Sequence, residues 1–264
     1  MSTAALNLCN LPPWVIASRH FNRRPQPLEI QGVRQANRLL FERLEQEICP
    51  TRRAAIFNDF MDVTFQLHQW REQNTAGGRK SLKNSYLRFL RGWMFDSNGR
   101  EGAVLKGWVE SRFGLHPTHH AAPIGDLHSE GYFRYLVERM RGAARTSAIH
   151  QQLDVLYEFS QYELRRRYPE AKHFTLYRGV YGFEEHVILE QFDRHRCLMR
   201  LNNLNSFTAD FERAWEFGSR VLKTEVPLEK IVFFSGLLPT ARMQGEEEFL
   251  VIGGEYEVEV RTGG

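Results

Sequence analysis

The run RRRYPEAKHFTLYRGV, residues 165–180, divides the chain into two kinds of pattern. Upstream of it apolar residues return every three or four positions, the spacing of amphipathic helices. Downstream they come in short runs rich in β-branched and aromatic residues, separated by polar turns. Pro169 has no backbone N–H to donate and ends a helix, and HFTLYRGV then reads as a strand over His173–Val180. Helices first and strands later predict an α+β architecture: a mainly helical N-terminal lobe (1–168) packed on a β-rich core (169–264), together one continuous globular unit.

Working back from Pro169, the helical stripes are Leu153, Leu156 and Phe159; Phe133, Leu136, Val137 and Met140; Leu82, Tyr86, Phe89 and Trp93; and Ile56, Phe60, Val63, Leu67 and Trp70. Gly77–Gly78, Asn98–Gly99 and the loop from His116 to Gly125 punctuate them. Working forward, the strand candidates after the first are Cys197–Asn202, Leu204–Thr208, Val221–Val226, Ile231–Ser235, Phe249–Ile252 and Tyr256–Arg261. One helix interrupts them over Asp210–Phe217, with Thr208 or Asp210 as its N-cap and Gly218 as its stop. No strand is followed by GxGxxG and a helix, which disfavours a Rossmann site.

The chain has 264 residues, 42% of them hydrophobic, enough to bury a sizeable core. Three cysteines, Cys9, Cys49 and Cys197, are far apart and odd in number; this fits neither a disulfide framework nor a CxxC metal site and suits a reducing cytoplasm. The N-terminus lacks the pattern of a signal peptide, and no apolar run is long enough to span a membrane, so the chain reads as a soluble protein with no membrane insertion. A formal net charge of +3 is mildly basic and fits an acidic partner, but no zinc-finger or RNP-type motif points to nucleic acid. His116, His119 and His120 lack nearby ligands for a tetrahedral set apart from Asp126 and read as a structural or exposed loop. Trp93 and Trp108 lie on stripes and read as core, and Cys197 as a buried thiol.

Three segments in the β-rich part carry chemistry. In LYRGV, Arg178 at a strand end can fork onto a pyrophosphate, and Gly179 lets a flat ring approach the backbone. In NSFTADFERAWEFG, Ser206 and Thr208 share a strand face, where hydroxyls orient a carboxylate. In QGEEEFLVIGG, Glu246 and Glu248 point to one side of an extended chain and Glu247 to the other. The apolar run Phe249–Ile252 would anchor Glu248 at a rigid strand end. Each segment alone also has an ordinary explanation: an edge arginine, a capping hydroxyl, a solvated acidic turn.

In this order the three segments resemble the R-S-E signature of arginine-directed mono-ADP-ribosyltransferases. The N-terminal stretch LCNLPPWVIASRHFNRRPQPLEIQGVRQAN and the overall length resemble, within that superfamily, the dinitrogenase reductase ADP-ribosyltransferases, a likeness covering nearly the whole chain. The resemblance implies a two-sheet β core holding NAD as substrate, with no metal required, and transfer of ADP-ribose to an arginine of dinitrogenase reductase. It implies that Glu248 is the catalytic carboxylate and that Glu246 holds and helps deprotonate the attacking guanidinium. Arg178, Gly179, Ser206 and, less directly, Thr208 would bind or border NAD. Met243 and Gln244, at the tip of the loop before the glutamates, would meet the protein substrate. A PII-type nitrogen-signal protein is the implied regulator. Two other readings stay open at this point: an arginine ADP-ribosyltransferase with another target, and a catalytically silent NAD-binding or signal-protein-binding module.

Overall fold

The computed structural model describes residues 7–67, 85–143, 148–183, 186–238 and 248–262. Among them the chain forms α1 (Pro13–Ala17), α2 (Arg19–Arg23), α3 (Val33–Ala36), α4 (Arg38–Glu45), α5 (Pro50–Thr64), α6 (Tyr86–Phe95), α7 (Arg100–Phe113), α8 (Glu130–Ala143) and α9 (Ile149–Arg167). Six strands follow: β1 (His173–Val180), β2 (Val187–Gln191), β3 (Arg196–Thr208), β4 (Arg220–Pro227), β5 (Ile231–Phe234) and β6 (Glu248–Thr262), with α10 (Phe211–Glu216) between β3 and β4. The fold is therefore α+β, with its helices and antiparallel strands largely segregated along the chain.

Helix α9 is the hub of the helical part. Leu153, Leu156 and Phe159 are buried as their spacing requires, but so are Gln152, Asp154, Glu158, Gln161 and Glu163. Buried polar groups need partners, and these have them. Glu163 pairs with Arg53 (2.5 Å), Glu158 with Arg34 (2.7 Å) and Asp154 with Arg112 (2.8 Å). Gln161 Nε2 donates to the carbonyls of Leu228 and Ile231, at 2.9 Å each, which ties α9 to the sheet. Gln152 accepts from the backbone N–H of Tyr86 at 2.8 Å, which ties it to α6. A single connected set of buried apolar residues contains Phe57, Trp108 and Leu156 from the helical part and Val226, Ile252 and Val258 from the strands.

Two of the predicted stripes are corrected by this packing. In α5 the fully buried apolar positions are Ala54, Phe57 and Met61; Ile56 and Phe60 are only partly buried against the core and Val63 is 78% exposed, while Leu67, beyond the helix end, is buried as read and Trp70 lies outside the described residues. In α8 the buried side chain is Tyr135, and Phe133 and Met140 are exposed. Both helices carry apolar residues on more than one face, and the position of the neighbouring helix selects the face. The stripe of Tyr86, Phe89 and Trp93 in α6 is buried as read; Leu82 lies outside the described residues.

The strands form one hydrogen-bonded set in the order β2-β3-β1-β4-β6-β5, with a further ladder between β3 and β6. Two pairs of predicted strands prove to be single long ones. Cys197–Asn202 and Leu204–Thr208 are both part of β3, and Phe249–Ile252 and Tyr256–Arg261 are both part of β6. The breaks seen in sequence are a register shift between Leu201 and Leu204, opposite Gly253 and Gly254. A Cβ at Gly253 would stand 1.6 Å from the carbonyl oxygen of Asn202, so only glycine lets the strands meet there. The carbonyl of Gly253 accepts from Lys230 Nζ at 3.0 Å. That ammonium is fully buried, and desolvation pulls its pKa well below the usual lysine value.

Strand β2 was missed. Every residue of VILEQ in it is exposed, because it is the edge of the sheet, and without a buried face its sequence lacks the alternation that marks a strand. Among the described residues no helix is long and apolar enough to cross a membrane.

Candidate active site

Three strand ends converge on Thr208. It is opposite Glu248 in the β3–β6 ladder and opposite Tyr177 in the β1–β3 pairing. Ser206, two residues earlier, lies on the same strand face as Thr208 and is therefore the diagonal neighbour of Glu248. Its hydroxyl donates to Glu248 Oε1 at 2.5 Å. Arg178 on β1 reaches across from the other side, and its Nη1 donates to the backbone carbonyl of Ser206 at 3.0 Å. The sheet thus brings Arg178, Ser206, Thr208 and Glu248 together from three non-consecutive strands. Glu248 is fixed through its main chain as well, since its carbonyl accepts from Ser235 N–H at 2.9 Å.

These residues line a cleft of about 330 Å³. Its other walls are the end of α6 and the turn after it, Trp93 to Ser97, together with Arg213 and Ala214 of α10 and Phe217 just after that helix. Helix α10 is held at its start by Asp210, whose carboxylate accepts from the N–H groups of Glu212 (2.9 Å) and Arg213 (3.2 Å). Asp210 rather than Thr208 is therefore the N-cap. Thr208 Oγ1 accepts from the N–H of Asp210 at 3.1 Å, a local turn-forming bond, while the side chain also borders the cleft. Gly179 borders it too. The place of its missing Cβ is taken by α10: a Cβ there would be 2.0 Å from Ala214 O and 3.0 Å from both Phe217 C and Gly218 N. Close helix–strand packing is thus a reason for glycine at 179 that the sequence reading did not supply.

Trp93 is buried, as its helical stripe predicts, at 5% exposure. Its indole is nevertheless part of the site, because Nε1–H donates to Ser206 Oγ at 2.7 Å. The signal in the sequence was that a buried indole N–H needs an acceptor, but nothing local says which. Behind Trp93 stands Lys106, buried, with Nζ 5.8 Å from the indole ring and donating to Asn98 Oδ1 (3.2 Å) and His119 O (3.0 Å). His120 Nδ1 is 3.4 Å from the same ammonium; burial, then the lysine charge, push its pKa down to about 4. His116 instead meets Glu110 at 2.6 Å. Glu110 also takes hydrogen bonds from Tyr132 and Tyr135 and an ion pair from Arg139, and its pKa is lowered although burial opposes this. The three histidines thus belong to two polar groups, around Lys106 and around Glu110, which meet where the His120 ring packs edge-on against Tyr135. Among the described residues no group of three or more His, Cys, Asp or Glu side chains is placed to hold a metal ion. Cys197 is a buried free thiol.

A larger cleft of about 460 Å³ lies between α2 and β1, β4 and β6, but it shares no residue with the one around Glu248. Two of its acid–base pairs are Arg23–Glu257 and Lys223–Glu259. Glu246, Met243 and Gln244 lie outside the described residues.

The comparison that decides the family follows the same outline. The family model of dinitrogenase reductase ADP-ribosyltransferase (DRAT) matches residues 6–260. The chain belongs to this family. A curated relative from Rhodospirillum rubrum, NAD(+)–dinitrogen-reductase ADP-D-ribosyltransferase, is 42% identical over 256 residues, which is 96% of this chain and 93% of the relative. No solved structure matches significantly. Of the two clefts described, the one around Glu248 holds a carboxylate bound by a serine hydroxyl at a strand end, beside an arginine.

Proposed function

We propose that this protein transfers ADP-ribose from NAD to an arginine of dinitrogenase reductase, with Glu248 as the carboxylate that serves the transfer. The observation that carries the reading is the 2.5 Å hydrogen bond from Ser206 to Glu248, inside a cleft that Arg178 also lines. Family membership supplies the reaction, and this contact supports Glu248 and Ser206 as residues that serve it.

In the reaction the bond between ribose C1′ and the nicotinamide nitrogen breaks, its electron pair leaving with neutral nicotinamide. Positive charge grows on the ribose as an oxocarbenium-like state, which a preorganised carboxylate stabilises. Glu248 accepts a hydrogen bond from the ribose 2′-hydroxyl and orients the sugar. Arg178 serves the pyrophosphate: a guanidinium has five N–H donors in a planar fork, so it can hold a backbone carbonyl and meet phosphate oxygens. Gly179 and Thr208 border the bound dinucleotide. A guanidinium nitrogen of the target attacks C1′, the new C–N bond forms, and the nitrogen sheds a proton, for which Glu246 is the acceptor. Met243 and Gln244 meet the protein target.

In this reading the strands work as the two-sheet β core of the superfamily, and the helical lobe (1–168) and β-rich core (169–264) act as one unit. Its setting is the cytoplasm, where a PII-type nitrogen-signal protein controls it. The added ADP-ribose, bulky and doubly negative, would block docking of the reductase with its electron-accepting partner and switch nitrogen fixation off.

The test is incubation with labelled NAD and purified dinitrogenase reductase. Label should appear on the reductase with wild-type protein and be lost with Glu248→Gln, along with NAD hydrolysis, whereas Glu246→Gln should lose transfer and keep some hydrolysis. Wild-type labelling by Glu248→Gln refutes the assignment.

A further inference from the structure

A serine hydroxyl has one proton to give and two lone pairs that accept. Which way it gives that proton is set by whatever donates to it. At Ser206 the donor is Trp93: its Nε1–H is 2.7 Å from Ser206 Oγ, across 113 positions of sequence. An indole N–H only donates. The hydroxyl must therefore accept from Trp93, and its own proton is turned to Glu248 Oε1, 2.5 Å away.

We propose that Trp93 is a positioning residue for ADP-ribosyl transfer, fixing the Ser206 hydroxyl so that it holds Glu248 in its working orientation. The inference rests on the reading of Glu248 as the transfer carboxylate. Without the indole donor, the Ser206 hydroxyl is released to its other staggered positions, and Glu248 loses its clamp for part of the time. The surroundings suit a fixed donor. Trp93 is 5% exposed on α6. That helix is capped by the Ser85 hydroxyl, which accepts from Leu87 N–H at 3.3 Å, and is tied to α9 through Tyr86 and Gln152. The Lys106 ammonium near the indole is itself held by Asn98 and His119. The backbone of Ser206 is held independently by Arg178. One link from the helical part of the chain to the carboxylate thus runs through this indole nitrogen and the Ser206 hydroxyl.

The experiment compares wild type, Trp93→Phe, Ser206→Ala, the double variant and Glu248→Gln, each as the full chain. Transfer to dinitrogenase reductase and NAD hydrolysis are both read, so that an incorrect protein target does not silence the assay. A lost neutral hydrogen bond predicts that Trp93→Phe lowers kcat about three- to tenfold. KM for NAD should stay within about twofold, since that bond is not made to the substrate. In the Ser206→Ala background the same substitution should add nothing, because its effect runs through the missing hydroxyl. A folded Trp93→Phe protein with wild-type kcat overturns the proposal, and so do effects of Trp93→Phe and Ser206→Ala that simply multiply. If circular dichroism shows Trp93→Phe to be unfolded, benzothienylalanine at position 93 keeps both rings, replaces N–H by sulfur, and is held to the same outcomes. Wild-type turnover by Glu248→Gln overturns the catalytic reading and this proposal with it. An inactive Glu248→Gln beside a fully active Trp93→Phe overturns this proposal alone.

Discussion

Replacing Ser206 by alanine removes an oxygen that makes two hydrogen bonds and leaves the strand otherwise intact. The bond to Glu248, 2.5 Å long, is to a carboxylate, and hydrogen bonds to charged groups contribute about 1.5–3 kcal/mol. If that clamp matters only as charge develops on the ribose, its loss falls on kcat. At about 1.36 kcal/mol per factor of ten, the expected drop is roughly ten- to 150-fold. The contact between Arg178 and position 206 is to the backbone carbonyl, which alanine keeps, so KM for NAD should change little. The second bond, from Trp93 at 2.7 Å, leaves a buried indole N–H without its acceptor and should cost about 1–3 kcal/mol of folding stability. The assay pairs initial rates of label transfer from NAD over a range of NAD concentrations with urea unfolding followed by circular dichroism. A Ser206→Ala protein whose kcat stays within twofold of wild type would refute the reasoning, because Glu248 would then need no side-chain clamp.

Two further expectations follow from other parts of the molecule. Gly179→Ala places a Cβ 2.0 Å from Ala214 O, a backbone atom that cannot yield without moving α10; the variant should lose about 1–3 kcal/mol in urea unfolding and raise KM for NAD, since α10 lines the cleft. Unchanged stability would show that the strand and helix separate freely. The pKa of His120 is held near 4, against 6.5 for an unstrained histidine. Between those values the unfolded chain binds a proton there that the folded chain does not, so stability falls as pH drops from 6.5 towards 4. The full difference is at most about 3 kcal/mol. Burial raises the pKa of Glu158 and Glu229, which works in the opposite sense, so the histidine's share is isolated by comparing wild type with His120→Asn. The variant should lose less stability between pH 7 and pH 5, and equal slopes would show that His120 titrates alike in the folded and unfolded chain, with no depressed pKa.

Much of the fold was legible from local pattern. Pro169 marks the change from helix to strand, β1 spans the predicted His173–Val180, and the stripes of α6 and α9 are buried. That Arg178, Ser206, Thr208 and Glu248 would meet was legible from the order of their three segments and its resemblance to the R-S-E signature, since each segment alone also has an ordinary explanation, and the four do line one cleft. The stripes of α5 and α8 misled, since periodicity gives the apolar faces of a helix but not which one a neighbour will cover. Edge strand β2 was invisible for the converse reason: no buried face imprints alternation on it.

What the sequence by itself determined is the order of elements and the chemistry of each segment, because both depend on residues within a few positions of one another. Only the tertiary structure decided that β3 and β6 run unbroken past Gly253, that Thr208 pairs with two strands at once, and that Trp93 donates to Ser206. Those contacts join residues far apart in the chain. A hydrogen bond depends on where two groups come to lie in space, and for distant residues the packing of the whole core, rather than any local pattern, sets that distance.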